Sequence, residues 1–275
     1  QQELLGGTAF RNKAQLSVSG GNAMTQFLAS VSHQKETTVF PGDSQYNRTT
    51  VHQTLNHRSE NDQFAINLST LFSNEDNELP RTDFTGVAYT LEPNAPALYD
   101  EEGRLNWENN TWNNPLASLE QEYVSKIQTL MANAMVSYKV FPSLELRTSL
   151  GYNTYRMEAN RTLPSSSRNP SLGLTPQNYS NLTTNTSERR SWIAEPQLQW
   201  RKQWDELGLD ILMGTTFQQE TTDQLVQRGT GFPSDLMIQN LGAATTMEVL
   251  EDSDSEYKYN AFFGRVNLNL SLIHI

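Results

Sequence analysis

The residues best suited to chemistry lie in one long polar stretch, 74–126. It holds Tyr89, Tyr99, Trp107 and Trp112, with many Asn and Asp among them, Asn113 included. Aromatic faces beside amides and carboxylates suit sugar recognition, because a ring packs on the apolar face of a pyranose while amides bond its hydroxyls. Tyr99, Trp107, Trp112 and Asn113 are therefore the candidate substrate contacts. The same aromatics would equally serve to hold a long ordered loop together, and both readings stand at this level.

Other candidates for chemistry are weaker. His52 and His57 are five apart, a spacing that converges on a metal from neither a helix face nor a strand face. GTGFPS (229–234) opens like a phosphate loop but lacks a third glycine and a following helix. EDSDSE (251–256) places Asp252, Asp254 and Glu256 at alternate positions, yet lacks the central glycine of a calcium loop, and a solvated acidic loop is expected there. Asn-x-Ser/Thr triplets at Asn47, Asn67, Asn160, Asn181 and Asn269 carry no weight in so Asn/Thr-rich a chain. No Ser/His/Asp set and no paired carboxylates stand out. The expectation is a protein that is not an enzyme and uses neither a metal nor another cofactor.

The chain has 275 residues and a net charge of -11, from 31 Asp+Glu against 20 Lys+Arg. That balance disfavours nucleic acid, which needs clustered Lys and Arg. There is no cysteine, so neither disulfides nor thiolate metal sites are available. No apolar run approaches the roughly 18 residues of a membrane helix, and QQELLGGTAF at the start has no signal-peptide pattern. A polar composition is nonetheless compatible with a membrane β-barrel, since only alternate strand residues meet lipid.

Nine strands are predicted, over 14–20, 24–34, 48–57, 62–73, 127–141, 143–157, 188–204, 207–220 and 257–270. Apolar residues alternate with polar ones along the longer strands. Leu144, Leu146, Leu150 and Tyr152 oppose Glu145, Arg147, Ser149 and Asn153, and Trp192, Ala194, Leu198 and Trp200 oppose Glu195, Gln197, Gln199 and Arg201. Glu145, Arg147, Glu195, Gln197 and Arg201 would then face a lumen, where they could meet solute, water or a plug. Pro196 falls mid-strand, where a bulge is expected. Connections alternate short and long without exception, which puts every short turn at one end of a hairpin ladder and every long loop at the other. A Greek-key sandwich does not segregate its loops this way, whereas an outer-membrane barrel does. Tyr138, Phe141, Trp200 and Trp204, just before short turns, sit where an interfacial aromatic belt belongs.

Several segments resemble the SusC/RagA-like TonB-dependent outer-membrane transporters. KAQLSVSGGNAMTQFLASVSHQKE (13–36) is similar to that family's opening barrel hairpin, and 46–75 to the hairpin after it. NNPLA (113–117), GFPSDLMIQNLGAA (231–244) and YKYNAFFGRVNLNL (257–270) resemble its later loops and strand, in the family's order. KETT (35–38) departs from it, replacing a glycine that often follows the second strand. The resemblance implies an all-β, membrane-spanning antiparallel barrel of the 22-stranded class, present here as about nine strands over 1–269, with plug, TonB box and further strands absent. It also implies import of oligosaccharides, or peptides in some members, beneath a SusD-like surface lipoprotein, with energy delivered through the TonB complex. The alternative class is a secreted or surface β-rich carbohydrate-binding or adhesin protein. The last six residues, LSLIHI (270–275), are what CTG-TCT-CTT-ATA-CAC-ATC encodes, a transposase end sequence of DNA-library kits, and are expected to be translated adapter.

Overall fold

The computed structural model describes residues 2–80, 82–205 and 207–270. A short helix α1 (Gln2–Leu5) leads into β1 (Arg11–Gly21), β2 (Thr25–Thr37), β3 (Gln45–Arg58) and β4 (Phe64–Asn77). Then come helix α2 (Thr85–Thr90), β5 (Tyr123–Phe141), β6 (Leu144–Leu163), β7 (Asn181–Trp204), β8 (Leu207–Thr230) and β9 (Thr246–Leu270). The nine strands form one antiparallel sheet in sequence order, β1 to β9. Among the described residues β1 and β9 do not pair with each other, so the sheet is an open piece of a meander rather than a closed barrel.

Alternation sorts the residues onto two faces, and the pairing keeps them there across the whole sheet. Leu68 stands opposite Leu55 and Ala134, and Leu146 opposite Tyr138 and Leu198. This face carries the apolar set, and it is uncovered: Leu16 is 73% exposed, Leu150 41% and Phe262 89%. A sandwich core would be buried under a second sheet, so the carbohydrate-module alternative loses its structural basis. An apolar face left open along nine strands is what a lipid-facing band requires.

The upper border of that band slopes. Val31, Val51, Phe72 and Leu130 make one row across β2 to β5. On β6 to β9 the same row reads Thr154, Arg190, Thr221 and Glu256, and the last apolar residues there are Tyr152, Trp192, Phe217 and Phe262. The border thus descends six residues, about 20 Å, over seven strand spacings of about 4.8 Å each, a slope of roughly 30°. Strands in a membrane barrel tilt by a comparable amount.

Two features differ from the expectations. No bulge forms at Pro196. It pairs with Thr148 on the β6 side, and on the β8 side the register runs unshifted from Ala194↔Phe217 to Gln197↔Gly214, with the two pairs between them missing. Loss of one N–H that would bond the Thr215 carbonyl removes both pairs without inserting a residue. The true register shifts lie at Lys139/Phe141 and Val226/Gln227. EDSDSE (251–256) is no loop either; it lies within β9, paired with β8 up to Thr230↔Thr246. The expected adapter segment falls outside the described residues except for Leu270, which pairs with Leu207.

Candidate functional site

The segment between β4 and β5 has its own core. Leu4 of α1, Phe84, Ala88, Leu98 and Leu116 are buried together, with Leu105, Trp112 and Leu119 packed against them. Phe40, from the loop between β2 and β3, meets Phe84 edge-on with ring centroids 5.5 Å apart. Trp112 is thereby placed in the loop's core.

Within the segment, residues 97–106 fold back as a small hairpin. Tyr99 bridges Leu105, and Asp100 accepts from the Glu102 amide at 3.0 Å, the Arg104 amide at 2.8 Å and Arg104 Nε at 2.9 Å. Gly103, with φ 77°, supplies the left-handed turn position that a side chain would strain. Bonds from Arg104, with its nearby charge, outweigh burial and hold the Asp100 carboxyl below its ordinary range. Asn114 then locks the hairpin down. Its Nδ2 donates to the Leu98 carbonyl at 2.5 Å and the Asn106 carbonyl at 3.1 Å, while its Oδ1 accepts from the Leu116 amide at 2.9 Å. Asn114 caps the 3-10 turn Pro115–Glu120 and is buried.

This scaffold brings Tyr99 and Trp107 to one cleft of about 620 Å³, with Leu105, Leu116 and Leu119 on its apolar side and Asp100, Arg104 and Glu120 among its polar groups. Ser166 and Pro170 close it from the loop between β6 and β7. Of the four expected contacts, Tyr99 and Trp107 share the cleft, Trp112 packs behind it, and Asn113 stands exposed at the surface beside the residue that does the locking. Asn113 is singled out in the sequence and Asn114 is missed, although a signal for Asn114 is present: Asn before Pro is an N-cap and N1 pair.

The long loops also join one another. Asp235, between β8 and β9, accepts from Ser165 Oγ at 2.7 Å, the Ser165 and Ser166 amides at 3.2 Å each, and Ser180 Oγ at 2.5 Å. Burial pushes the Asp235 carboxyl up, but the bonds from Ser180, Ser165 and the two amides outweigh it and bring it below the ordinary value. Gln239 Nε2 donates to Glu122 at 2.7 Å, and Ser166 Oγ to Glu120 at 3.2 Å. Phe232 and Ile238 are buried with Leu182. GTGFPS is thus the β8 end and a turn that seats Phe232, with no phosphate-loop helix after it.

The expected lumenal residues are engaged on the face opposite the apolar band. Arg147 pairs with Glu145 at 3.0 Å, Glu195 accepts from Thr216 at 3.0 Å, and Arg201 donates to Asp210 at 3.3 Å. His57 bonds Thr25, and no group of three or more metal-ligating side chains converges among the described residues. No helix among them is long and apolar enough to cross a membrane, which leaves strand crossing open.

No protein-family model and no curated protein matches the chain. Solved structures do. The chain is similar to the RagAB peptide importer in its "closed-closed" state at TM-score 0.74 and 16% identity, covering 98% of this chain and 31% of that one. The "open-open" state gives 0.71 and 16%, with 94% and 29% covered. The RagAB peptide transporter gives 0.70 and 15%, with 94% and 30% covered. The chain therefore spans about a third of the length of the structures it matches. At this identity the likeness establishes the fold alone, that of part of an antiparallel β-barrel.

Proposed function

We propose that this chain is part of an outer-membrane, TonB-dependent importer of oligosaccharides or peptides that works with a SusD-like surface lipoprotein. One observation carries the reading: a meander with an uncovered apolar face has short turns at one end and, at the other, long loops fused into a single cap around an aromatic cleft. The likeness to the RagAB peptide importer supports the transporter fold, and that importer's cargo supports peptides among the candidates. The Tyr99–Trp107 cleft supports either cargo, since an aromatic face packs on a pyranose or on a side chain. TonB would act through parts outside this chain, so the fragment alone transports nothing. It would also expose two sheet edges and a lipid-facing band, and is not expected to fold without membrane or detergent.

The test uses the full-length gene product in cells. It should fractionate with the outer membrane, and uptake of labelled peptides or oligosaccharides should stop when TonB is deleted. A product recovered entirely in the soluble fraction, or uptake indifferent to TonB, refutes the importer reading.

A further inference from the structure

We infer that the Tyr99–Trp107 cleft selects the amino-terminal residue of a peptide, packing an apolar side chain on its floor and holding the free ammonium on Glu120. The inference deepens the importer reading above and rests on it. The cleft's volume of about 620 Å³ falls within the range of small-molecule sites.

The lining decides between a sugar and a side chain. Leu105, Leu116, Leu119 and Pro170 join the two aromatic rings, and among the described residues that line the cleft there is no Asn, Gln or His. A pyranose carries hydroxyls around its whole rim, and burying them without partners is costly. Asp100 and Arg104 are turned to their own hairpin instead. Asp100 accepts the Glu102 amide, the Arg104 amide and Arg104 Nε, while Arg104 Nη2 donates to Glu102 at 2.9 Å. A leucine-like or phenylalanine-like side chain asks for no hydrogen bond and gains with each apolar area it covers.

Charge then fixes which residue of a peptide enters. Asp100 and Arg104 offset each other, so Glu120 leaves the cleft with one net negative charge. Glu120 is exposed, and none of the ion pairs among the described residues involves it. Its Oε2 accepts the Ser166 hydroxyl at 3.2 Å, and the Ser166 amide is itself docked on Asp235. The carboxylate is thus steered from the facing loop while Oε1 stays open to a donor. Glu120 follows Leu119 directly, which sets the anion beside the apolar floor. Only at the amino-terminal residue of a peptide do an ammonium and an apolar side chain share one carbon; a carboxyl terminus would be repelled. The Tyr99 hydroxyl and the Trp107 N–H add donors suited to the first peptide carbonyl.

The test titrates Leu-Gly-Gly, its N-acetyl form, Gly-Gly-Gly and maltotriose into the full-length protein in detergent, followed by saturation-transfer NMR. Leu-Gly-Gly should bind best. N-acetylation and Glu120→Gln should each weaken it about fivefold, the weight of one surface charge pair. Together they should cost little more than either alone, because both remove the same contact. Trp107→Ala should weaken binding by at least about tenfold. Glu101→Gln, which alters an exposed carboxylate outside the cleft, should bind as wild type does. Wild type that binds the acetylated peptide as tightly as the free one overturns the ammonium site, and equal binding of Gly-Gly-Gly overturns the apolar floor. Maltotriose bound in a Trp107-dependent way, without peptide binding, overturns the peptide assignment. TonB-dependent uptake with peptide binding indifferent to Glu120→Gln and Trp107→Ala overturns this site and leaves the importer reading standing. A wild type that never fractionates with the outer membrane overturns the importer reading, and the inference falls with it.

Discussion

Removing the Asp235 carboxylate should undock the loop between β8 and β9 from the loop between β6 and β7 while leaving the strand ladder intact. Asp235 receives two hydroxyl and two amide hydrogen bonds from Ser165, Ser166 and Ser180, donors 55 to 70 residues earlier in the chain. A hydrogen bond to a charged group contributes about 1.5–3 kcal/mol. Asp235 is only partly buried, and water will replace much of what Asp235→Ala removes, so four bonds reduce to a net loss of about 2–3 kcal/mol. Buried Phe232 and Ile238 continue to hold part of the loop, which makes this a local opening and not global unfolding.

Hydrogen exchange of the full-length protein in detergent reads the change directly. The Ser166 amide, which bonds Asp235 in the docked state, should exchange roughly 30- to 150-fold faster in the variant, the factor that 2–3 kcal/mol implies. The Ser165 amide, which also donates to Ser180 Oγ at 2.8 Å, should change less. Amides in the middle of β6 and β7 should not change. Ser166 protection within about threefold of wild type, with the ladder intact, would refute the carboxylate's role as the latch, since that corresponds to well under 1 kcal/mol.

The same latch should respond to acid. The folded-state value of Asp235 lies below the ordinary 3.8. Its stabilisation is therefore complete above the unfolded value and is lost as pH falls through the lower folded value. Brief pepsin pulses between pH 5 and 2, limits set about the carboxylate range, should cut the 164–180 loop increasingly toward the acid end in wild type and at all pH values in Asp235→Ala; identical wild-type and variant profiles would count against it. Leu68→Arg puts a charge on the apolar face, costing about 2–4 kcal/mol near the bilayer centre, and should abolish heat-modifiable assembly. Its neighbour Ser69→Arg faces the other way, opposite Thr54 and Asn133, and should assemble; equal behaviour of the two would contradict the face assignment. Gly231→Val forces a branched residue to φ 75° with its Cβ 2.9 Å from Thr245, at about 1–2 kcal/mol or more, and should raise exchange across 231–245, an effect absent if that loop is already loose.

All nine strands were legible, and their short-turn ends match closely: 141, 204 and 207 are boundaries both by pattern and in the structure. Their loop ends were not. β7 begins at Asn181 rather than 188, β8 runs to Thr230 rather than 220, and β9 begins at Thr246 rather than 257. The reason is the border. Below it, an apolar face and a polar face impose the two-residue contrast that reveals a strand. Above it, residues such as Thr183, Thr184, Asn185 and Thr186 meet polar surroundings on both faces, so the ladder hydrogen bonds persist while the hydrophobic signal vanishes.

The cap was legible only in its composition, for a related reason. Tyr99 and Trp107 could be singled out as aromatics in a polar loop, but which of four candidates faces a cleft depends on contacts that no local pattern encodes. Trp112 and Tyr99 read alike in sequence, yet one packs against the loop's buried cluster and the other bridges Leu105 and lines the cleft. Asn114 left a local trace in Asn-Pro, because capping is a matter of adjacent residues. Asp235 left none, because its worth lies entirely in serines on another loop. The strands bring those loops to one end of the sheet by alternating short and long connections, and the cap's chemistry follows from that delivery: residues without a signal of their own become a latch and a cleft once the ladder sets their ends side by side.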